Sequence, residues 1–178
     1  MIISLIDASY RTDSVYRFAG EYSENVYAIM GRESPPKTAR MEQFSSYQKK
    51  GIIAYNVNVT LYKDRLSANL RRDWNEGEKQ PLGYCNFPHE YGDDFFRQYE
   101  AEEKKEKIYK QTGKRLGFVW IQRPNMPNHA WDCAVYHLAA LDIVCYGINL
   151  THLGQDRIDY AAFWNYIEEN KIFYQDAA

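Results

Sequence analysis

The chain has 178 residues and a mass of 21.0 kDa, enough for one compact domain or one domain with an appendage. Apolar residues make up 45% and charged residues 26%, which excludes a disordered or fibrous protein. The net charge of −2 excludes nucleic-acid binding through bulk positive charge but allows a local basic patch. The three cysteines form no CxxC pair and support neither a disulfide framework nor a zinc ribbon. No apolar stretch approaches the roughly 18 residues of a membrane span, so no membrane association is expected.

The first half of the chain alternates predicted strands and helices. Residues 2–6 form a nearly continuous apolar run, which predicts a central strand that is buried on both faces and ends at Asp7. Thr12 is expected to cap a helix that extends to about Tyr22. The further predicted elements are strands at 26–30 and 51–59, an exposed loop at 32–50 and a helix at 61–71.

The second half is predicted to combine a β-hairpin with longer helices. A helix capped by Asp93 or Asp94 is expected to continue into residues 102–107, whose mixed charges suit a solvated face. Gly113 marks the tip of a predicted hairpin between 108–110 and 116–121. The remaining predicted elements are a short strand at 83–87 and helices at about 128–146 and 156–170. The order indicates a mixed α/β domain.

Two carboxylates stand where a metal site with oxygen ligands can form. Asp7 ends the first predicted strand, where open α/β sheets bind ligands, although an acid there can equally cap the following turn. Asp132 begins the helix at 128–146 among apolar neighbours, and an inward-facing acid needs a partner such as a metal ion. The alternative is an acid placed to interact with the helix dipole. Two Mg²⁺ or Mn²⁺ ions held by such acids can activate a water molecule for phosphodiester cleavage.

The other candidate features are weaker. A two-ion site normally has a third acid near another strand end, but the strand at 51–59 is followed by Thr60, and the nearest acid is Asp64. His129 shares the predicted helix face of Asp132. Basic residues within 104–115 could contact a phosphate backbone, although the interleaved glutamates fit a simple solvated surface equally well.

Two segments resemble a known protein family. Residues 6–16 resemble the opening of the nuclease domain of large terminase subunits from lambda-like tailed bacteriophages, and residues 128–140 resemble its closing helix. Between them, Lys63-Asp64, Phe87-Pro88 and residues 98–102 follow the family's order. The resemblance covers about residues 2–141.

The resemblance implies an RNase H-like fold with a mixed central sheet flanked by helices. It implies a metal-dependent endonuclease that cuts concatemeric double-stranded DNA during packaging by a two-metal-ion mechanism with Mg²⁺ or Mn²⁺. Asp7 and Asp132 match the metal-binding acids, Asp13 matches a supporting acid, and Lys63 matches a lysine after the middle acid. That middle acid falls at Thr60, so Asp64 is the candidate substitute. The candidate catalytic residues are therefore Asp7, Lys63, Asp64 and Asp132.

The implied partners are double-stranded DNA, a terminase ATPase domain preceding this chain, the small terminase subunit and the portal, in the host cytoplasm. Residues 1–148 are predicted to form the nuclease domain. Residues 149–178 are predicted to form a helical extension, which either packs on that domain or docks on the portal. Because of Thr60, a catalytically silent DNA-binding or assembly module is an alternative. Another is a different RNase H-like nuclease, such as a junction resolvase.

Overall fold

The computed structural model describes residues 3–34, 39, 41–170 and 172. The chain divides into a first unit, Met1–Asn58 with Leu138–Ala178, and a second unit, Val59–His137. The strands are β1 (Ser4–Asp7), β2 (Val26–Arg32), β3 (Phe44–Lys49), β4 (Ile52–Asn58), β5 (Glu102–Ile108) and β6 (Arg115–Gln122). The helices are α1 (Thr12–Glu21), α2 (Val59–Leu70), α3 (Asp93–Arg97), α4 (His129–Leu153) and α5 (Tyr160–Glu169), and a 3-10 turn covers Gln98–Glu100.

The first unit is built on a four-stranded mixed sheet with the order β1-β2-β4-β3. Strands β1, β2 and β4 are parallel, and β3 runs antiparallel to β4. Helix α1 packs on one face, where Tyr16 and Ala19 join Ala28 and Ala54 in a buried cluster. On the opposite face, Phe44 makes edge-to-face contact with Tyr146 of α4. The prediction of a mixed α/β sheet flanked by helices is confirmed at this level.

The predicted central strand at 2–6 is wrong in its position, because β1 lies at the edge of the sheet. Among the described residues, β2 is its one strand neighbour, and Ser4 and Asp7 are exposed. An apolar run is typical of a strand covered on both faces, but it does not distinguish a central strand from an edge strand. The helix start is also corrected: Arg11 occupies the cap position, while the Thr12 hydroxyl donates to the Ala8 carbonyl.

The predicted loop at 32–50 is wrong because β3 forms within it. Its sequence, FSSYQK, is mostly polar, and pairing with β4 supplies the hydrogen bonds that define the strand. Lys50 and Gly51 join the two strands, with φ angles of 53° and 81°. Two successive residues with positive φ are characteristic of the two-residue turn that matches strand twist, and glycine adopts this conformation without strain.

The end of α4 and helix α5 form a second core in the first unit. Phe163 and Ile167 of α5 are buried together with Cys145 of α4. The Asn149 side chain donates to the carbonyls of Arg157 and Asp159, which fixes the segment between the helices. Asp159 caps α5 by accepting from the Ala162 amide at 3.0 Å. Helix α4 therefore extends beyond its predicted end at 146, because α5 covers its later apolar residues.

Substitution of Phe163 tests whether this segment is a core element. Phe163 is 1% exposed and its neighbour Trp164 is 45% exposed. We expect Phe163→Leu to lower the free energy of unfolding by about 1 kcal/mol or more, because a buried ring loses its packing. Trp164→Leu, the matched control, should change it by less than about 0.5 kcal/mol. Equal effects in urea unfolding would contradict a core role and favour a detachable docking helix.

The second unit combines α2 and α3 with a β-hairpin formed by β5 and β6. The hairpin around Gly113 is confirmed, with antiparallel pairing from Glu102↔Gln122 to Ile108↔Arg115. The helix predicted to include 102–107 is wrong, because those residues belong to β5. Mixed charges indicate solvent exposure but do not distinguish a helix from a strand at a hairpin edge. The strand predicted at 83–87 is also wrong, and that segment has no regular structure.

Helix α4 corrects the expectation about apolar stretches. With 25 residues, it is long and apolar enough to cross a membrane by length and composition alone. Polar residues, among them Asp132, Asp142 and Asn149, interrupt its apolar residues, so no uninterrupted apolar run is visible in the sequence. Core helices of soluble proteins meet the same criterion. Two buried side chains of α4, Asp142 and Cys145, lie where Tyr160 and Phe163 of α5 contact the helix.

Candidate functional site

A group of four polar side chains is assembled in the second unit, and we call it the carboxylate cluster: Lys63, Glu102, Asn128 and Asp132. The Lys63 Nζ donates to both carboxylate oxygens of Glu102, at 2.7 and 2.6 Å. The same Nζ lies 3.9 Å from Asp132 Oδ1. The Asn128 amide nitrogen donates to Glu102 Oε1 at 2.9 Å and to Asp132 Oδ2 at 3.0 Å. Two carboxylates thus share one ammonium and one amide.

Solvent exposure differs among the side chains of the cluster. The Glu102 side chain is 3% exposed and that of Lys63 is 15% exposed, whereas Asp132 is 42% exposed. Burying a carboxylate is unfavourable unless it is paired, and the two hydrogen bonds from Lys63 satisfy this requirement. Asp132 is therefore the member of the cluster that solvent and a solvent-borne ligand reach.

The local fold explains how these side chains meet. Lys63 lies on the second turn of α2, Glu102 is the first residue of β5, and Asp132 lies in the first turn of α4. The Gln98 side chain accepts from the Ala130 amide at 2.9 Å and so satisfies a donor at the start of α4. Trp131 is buried against Trp120, with ring centroids 5.3 Å apart, which holds α4 against β6.

The cluster has the chemistry of a site for a hard cation. Carboxylate oxygens are preferred ligands of Mg²⁺ and Mn²⁺, and Glu102 and Asp132 supply them within reach of a common amide. Within the described part of the chain, no group of three or more His, Cys, Asp and Glu side chains is arranged to hold a metal ion. The cluster contributes two acids, and its ammonium balances part of their charge.

Thr60 lies in the first turn of α2, one helical turn before Lys63. Residues at this spacing are neighbours on a helix surface, with about 5–6 Å between their Cβ atoms. An acid at position 60 would therefore lie beside Lys63. In this chain the acid that pairs with Lys63 is Glu102.

Asp64, the candidate substitute for the middle acid, makes its contacts with the β-hairpin. Its Oδ1 accepts from Trp120 Nε1 at 2.9 Å and from Lys104 Nζ at 2.7 Å. Both donors belong to β5 and β6, so these contacts tie α2 to the hairpin. The catalytic role of Asp64 stays a prediction.

His129 lies at the rim of an aromatic groove in the second unit. The groove is lined by Phe87, Tyr91, Phe95, Tyr99, Cys133 and His137, among others. Phe87 and Phe95 stack edge to face with the neighbouring rings at centroid distances of 5.3–6.0 Å. His129 is itself exposed, and its predicted place beside the metal site stays untested.

Asp7 and Asp13 belong to the first unit. The Ser9 amide donates to Asp7 Oδ1 at 2.7 Å, which is the turn-capping contact considered for this position. Asp13 accepts from Lys50 Nζ at 2.6 Å on the exposed start of α1. The hydrogen bond and positive charge of Lys50 lower the pKa of the Asp13 carboxyl below its usual range. Their roles, and the convergence of Asp7 with Asp132, stay predictions.

Sequence reasoning missed Glu102 and Asn128 as members of a site. Glu102 begins the run EEKKEK, and a run of mixed charges usually forms a solvated face. Strand alternation separates its two adjacent glutamates: Glu102 pairs with Lys63, while Glu103 pairs with Lys105 at 2.6 Å. The signal that could have found Glu102 is its place in residues 98–102, which follow the order of the family that the sequence resembles.

The comparison with protein families identifies the chain. The sequence profile described as "Terminase large subunit gpA, endonuclease domain" matches residues 1–152. The chain belongs to this family, which confirms the resemblance to terminase nuclease domains. The family gives the chain a general role as an endonuclease of DNA packaging, with DNA and the packaging complex as partners. No curated protein and no solved structure matches the chain.

Proposed function

We propose that this chain is a metal-dependent endonuclease domain that cuts concatemeric double-stranded DNA during viral packaging. The carboxylate cluster is the observation that carries the proposal. In it, two acids, a lysine and an amide make polar contacts of 3.9 Å or less with one another. An RNase H-like topology and two ions, Mg²⁺ or Mn²⁺, are part of the proposal. The family match supports the nuclease class and the packaging role.

The exposed carboxylate of Asp132 is the proposed cation ligand of the cluster, and Asp7 is likewise proposed as a metal-binding acid. A bound divalent cation would supply a water of lowered pKa and stabilise the leaving oxygen. Glu102 holds Lys63 through two hydrogen bonds, which fixes the lysine ammonium beside Asp132. From that position the ammonium can bind a phosphate oxygen of the DNA backbone.

Thr60 favours a second candidate function, a catalytically silent DNA-binding or assembly module of the same family. A threonine in place of an acid removes one negative charge from the neighbourhood of Lys63, and metal affinity depends on the number of charged ligands. This module would keep duplex binding without hydrolysis.

Metal removal separates the two functions. We expect the full chain to nick supercoiled plasmid in Mn²⁺ or Mg²⁺ and to lose this activity when EDTA is added, because the attacking water needs a Lewis acid. Gel electrophoresis measures the conversion to open-circular and linear forms. Cleavage that persists in EDTA would contradict a metal mechanism. Duplex binding without nicking in either metal would favour the silent module.

A further inference from the structure

The loop end of the β-hairpin in the second unit is the most positively charged segment of the chain. We call residues 107–115 the hairpin tip. It contains four cationic side chains and no acidic one: Lys107, Lys110, Lys114 and Arg115. The whole chain has a net charge of −2 and the tip contributes +4, so the remaining residues sum to −6. Positive charge is therefore concentrated in nine residues of an otherwise acidic protein.

The hairpin strands pair their charges, whereas two lysines of the hairpin tip do not. Within the tip, Arg115 Nε lies 3.2 Å from Glu106 Oε1. Near the base, Lys104 pairs with Asp64 at 2.7 Å and Lys105 pairs with Glu103 at 2.6 Å. Lys110 and Lys114 are exposed and make no ion pair with the described residues. An exposed cation without a carboxylate partner keeps its full charge for an external anion.

The tip has a defined backbone. The Tyr109 amide donates to the Lys114 carbonyl, and the Gly113 amide donates to the Tyr109 carbonyl, both at 2.8 Å. Gly113 has a φ of +69°, which the turn requires. These bonds close the turn and hold Lys110 and Lys114 on one short loop, so less freedom is lost when they bind a ligand.

Apolar groups accompany the cations along the hairpin. Ile108, Leu116 and Phe118 are each about half exposed. The Arg115 guanidinium lies 4.7 Å from the centre of the Phe118 ring, and the Lys104 ammonium lies 5.3 Å from it. The Phe118 ring thus lies under two cationic groups, and exposed apolar side chains accompany the charges along the hairpin.

We propose that the hairpin tip is a docking surface for the phosphate backbone of duplex DNA. This inference rests on the proposed function, in which DNA is the substrate. A two-stranded β-ribbon fits the major groove, and lysines contact phosphates as point charges without reading the sequence. The tip thus holds DNA of any sequence, and it does so through Lys110 and Lys114 first.

Removal of charge from the hairpin tip tests whether this surface binds DNA. Fluorescence anisotropy with a labelled 30-bp duplex, in Ca²⁺ or EDTA, measures binding without cleavage. We expect Lys110→Ala with Lys114→Ala to weaken binding by about tenfold or more at 0.1 M salt. The slope of log K against log salt should fall in magnitude by roughly 1.8, or about 0.9 for each lost phosphate contact.

A second double variant, Arg71→Ala with Lys79→Ala, is the matched control. It removes the same charge from exposed positions of the second unit outside the hairpin, and it should keep the wild-type salt slope. Equal affinities and slopes for the two double variants would overturn the inference. A wild-type chain that does not bind duplex DNA would overturn it as well. Plasmid nicking is scored separately, so an endonuclease whose tip variant binds normally retains its proposed function.

Discussion

Asp132→Asn is expected to reduce metal-dependent plasmid nicking by about 100-fold or more. The amide keeps the shape of the side chain and can still accept the hydrogen bond from Asn128, but it removes the charge that a divalent cation requires. Loss of a group that only supports a metal ligand typically reduces activity about 10- to 100-fold, and a direct ligand should matter at least as much. Initial nicking rates in Mn²⁺ measure the effect.

Asp73→Asn is the matched control for this variant. Asp73 is exposed in the same unit, within the turn-rich segment after α2, and the substitution changes the charge by the same amount. Asp132 is 42% exposed, so its substitution should leave thermal unfolding close to that of the wild type. Chelator-sensitive nicking at the wild-type rate in Asp132→Asn would contradict the metal-ligand role proposed for this acid.

Glu102→Gln is expected to lower the free energy of unfolding by about 3 kcal/mol, because it breaks a buried ion pair and leaves the Lys63 ammonium only its longer contact with Asp132. The amide of glutamine presents one oxygen to the Lys63 ammonium, where the carboxylate presents two. Urea unfolding followed by circular dichroism gives the difference. The neighbouring pair provides the control: Glu103→Gln disrupts the exposed bridge to Lys105 and should change stability by less than about 1 kcal/mol.

A second substitution separates the ion pair from packing in general. Lys63→Met in the Glu102→Gln background removes the ammonium that has lost its buried partner, while keeping an apolar stem of similar length. We expect this double variant to recover part of the lost stability, since replacing both partners of a buried pair is often neutral. If the double variant is no more stable than Glu102→Gln alone, the Lys63–Glu102 pair is not the source of the effect.

Sequence patterns predicted the elements whose local signals are strong. The hairpin around Gly113 and the long helix carrying Asp132 both follow from periodicity and turn residues. Strand β3 could not be predicted in this way, because its polar residues become a strand only by pairing with β4. The edge position of β1 likewise depends on which strands pair, and an apolar run does not contain that information.

In the candidate site too, some residues could be predicted from the sequence and others could not. Asp132 is predicted from its place among apolar residues at the start of a helix, and Lys63 from the family resemblance; the structure brings their side chains within 3.9 Å. Glu102 was assigned to a solvated face because its neighbours in sequence are charged. Its pairing with Lys63 and Asn128 joins residues 39 and 26 positions apart, and spacing within a single element cannot reveal such contacts.

The tight turn at Lys50 and Gly51 has a consequence for the order in which the sheet assembles. Its closing pair, Lys49 and Ile52, is three positions apart, whereas Ala28 and Ala54 in the parallel pairing of β2 with β4 are 26 positions apart. Short loops close with less loss of chain entropy, and hairpins form within about 1–10 μs. The β3–β4 ribbon is therefore expected to form first and to serve as the template on which β2, and then β1, is added.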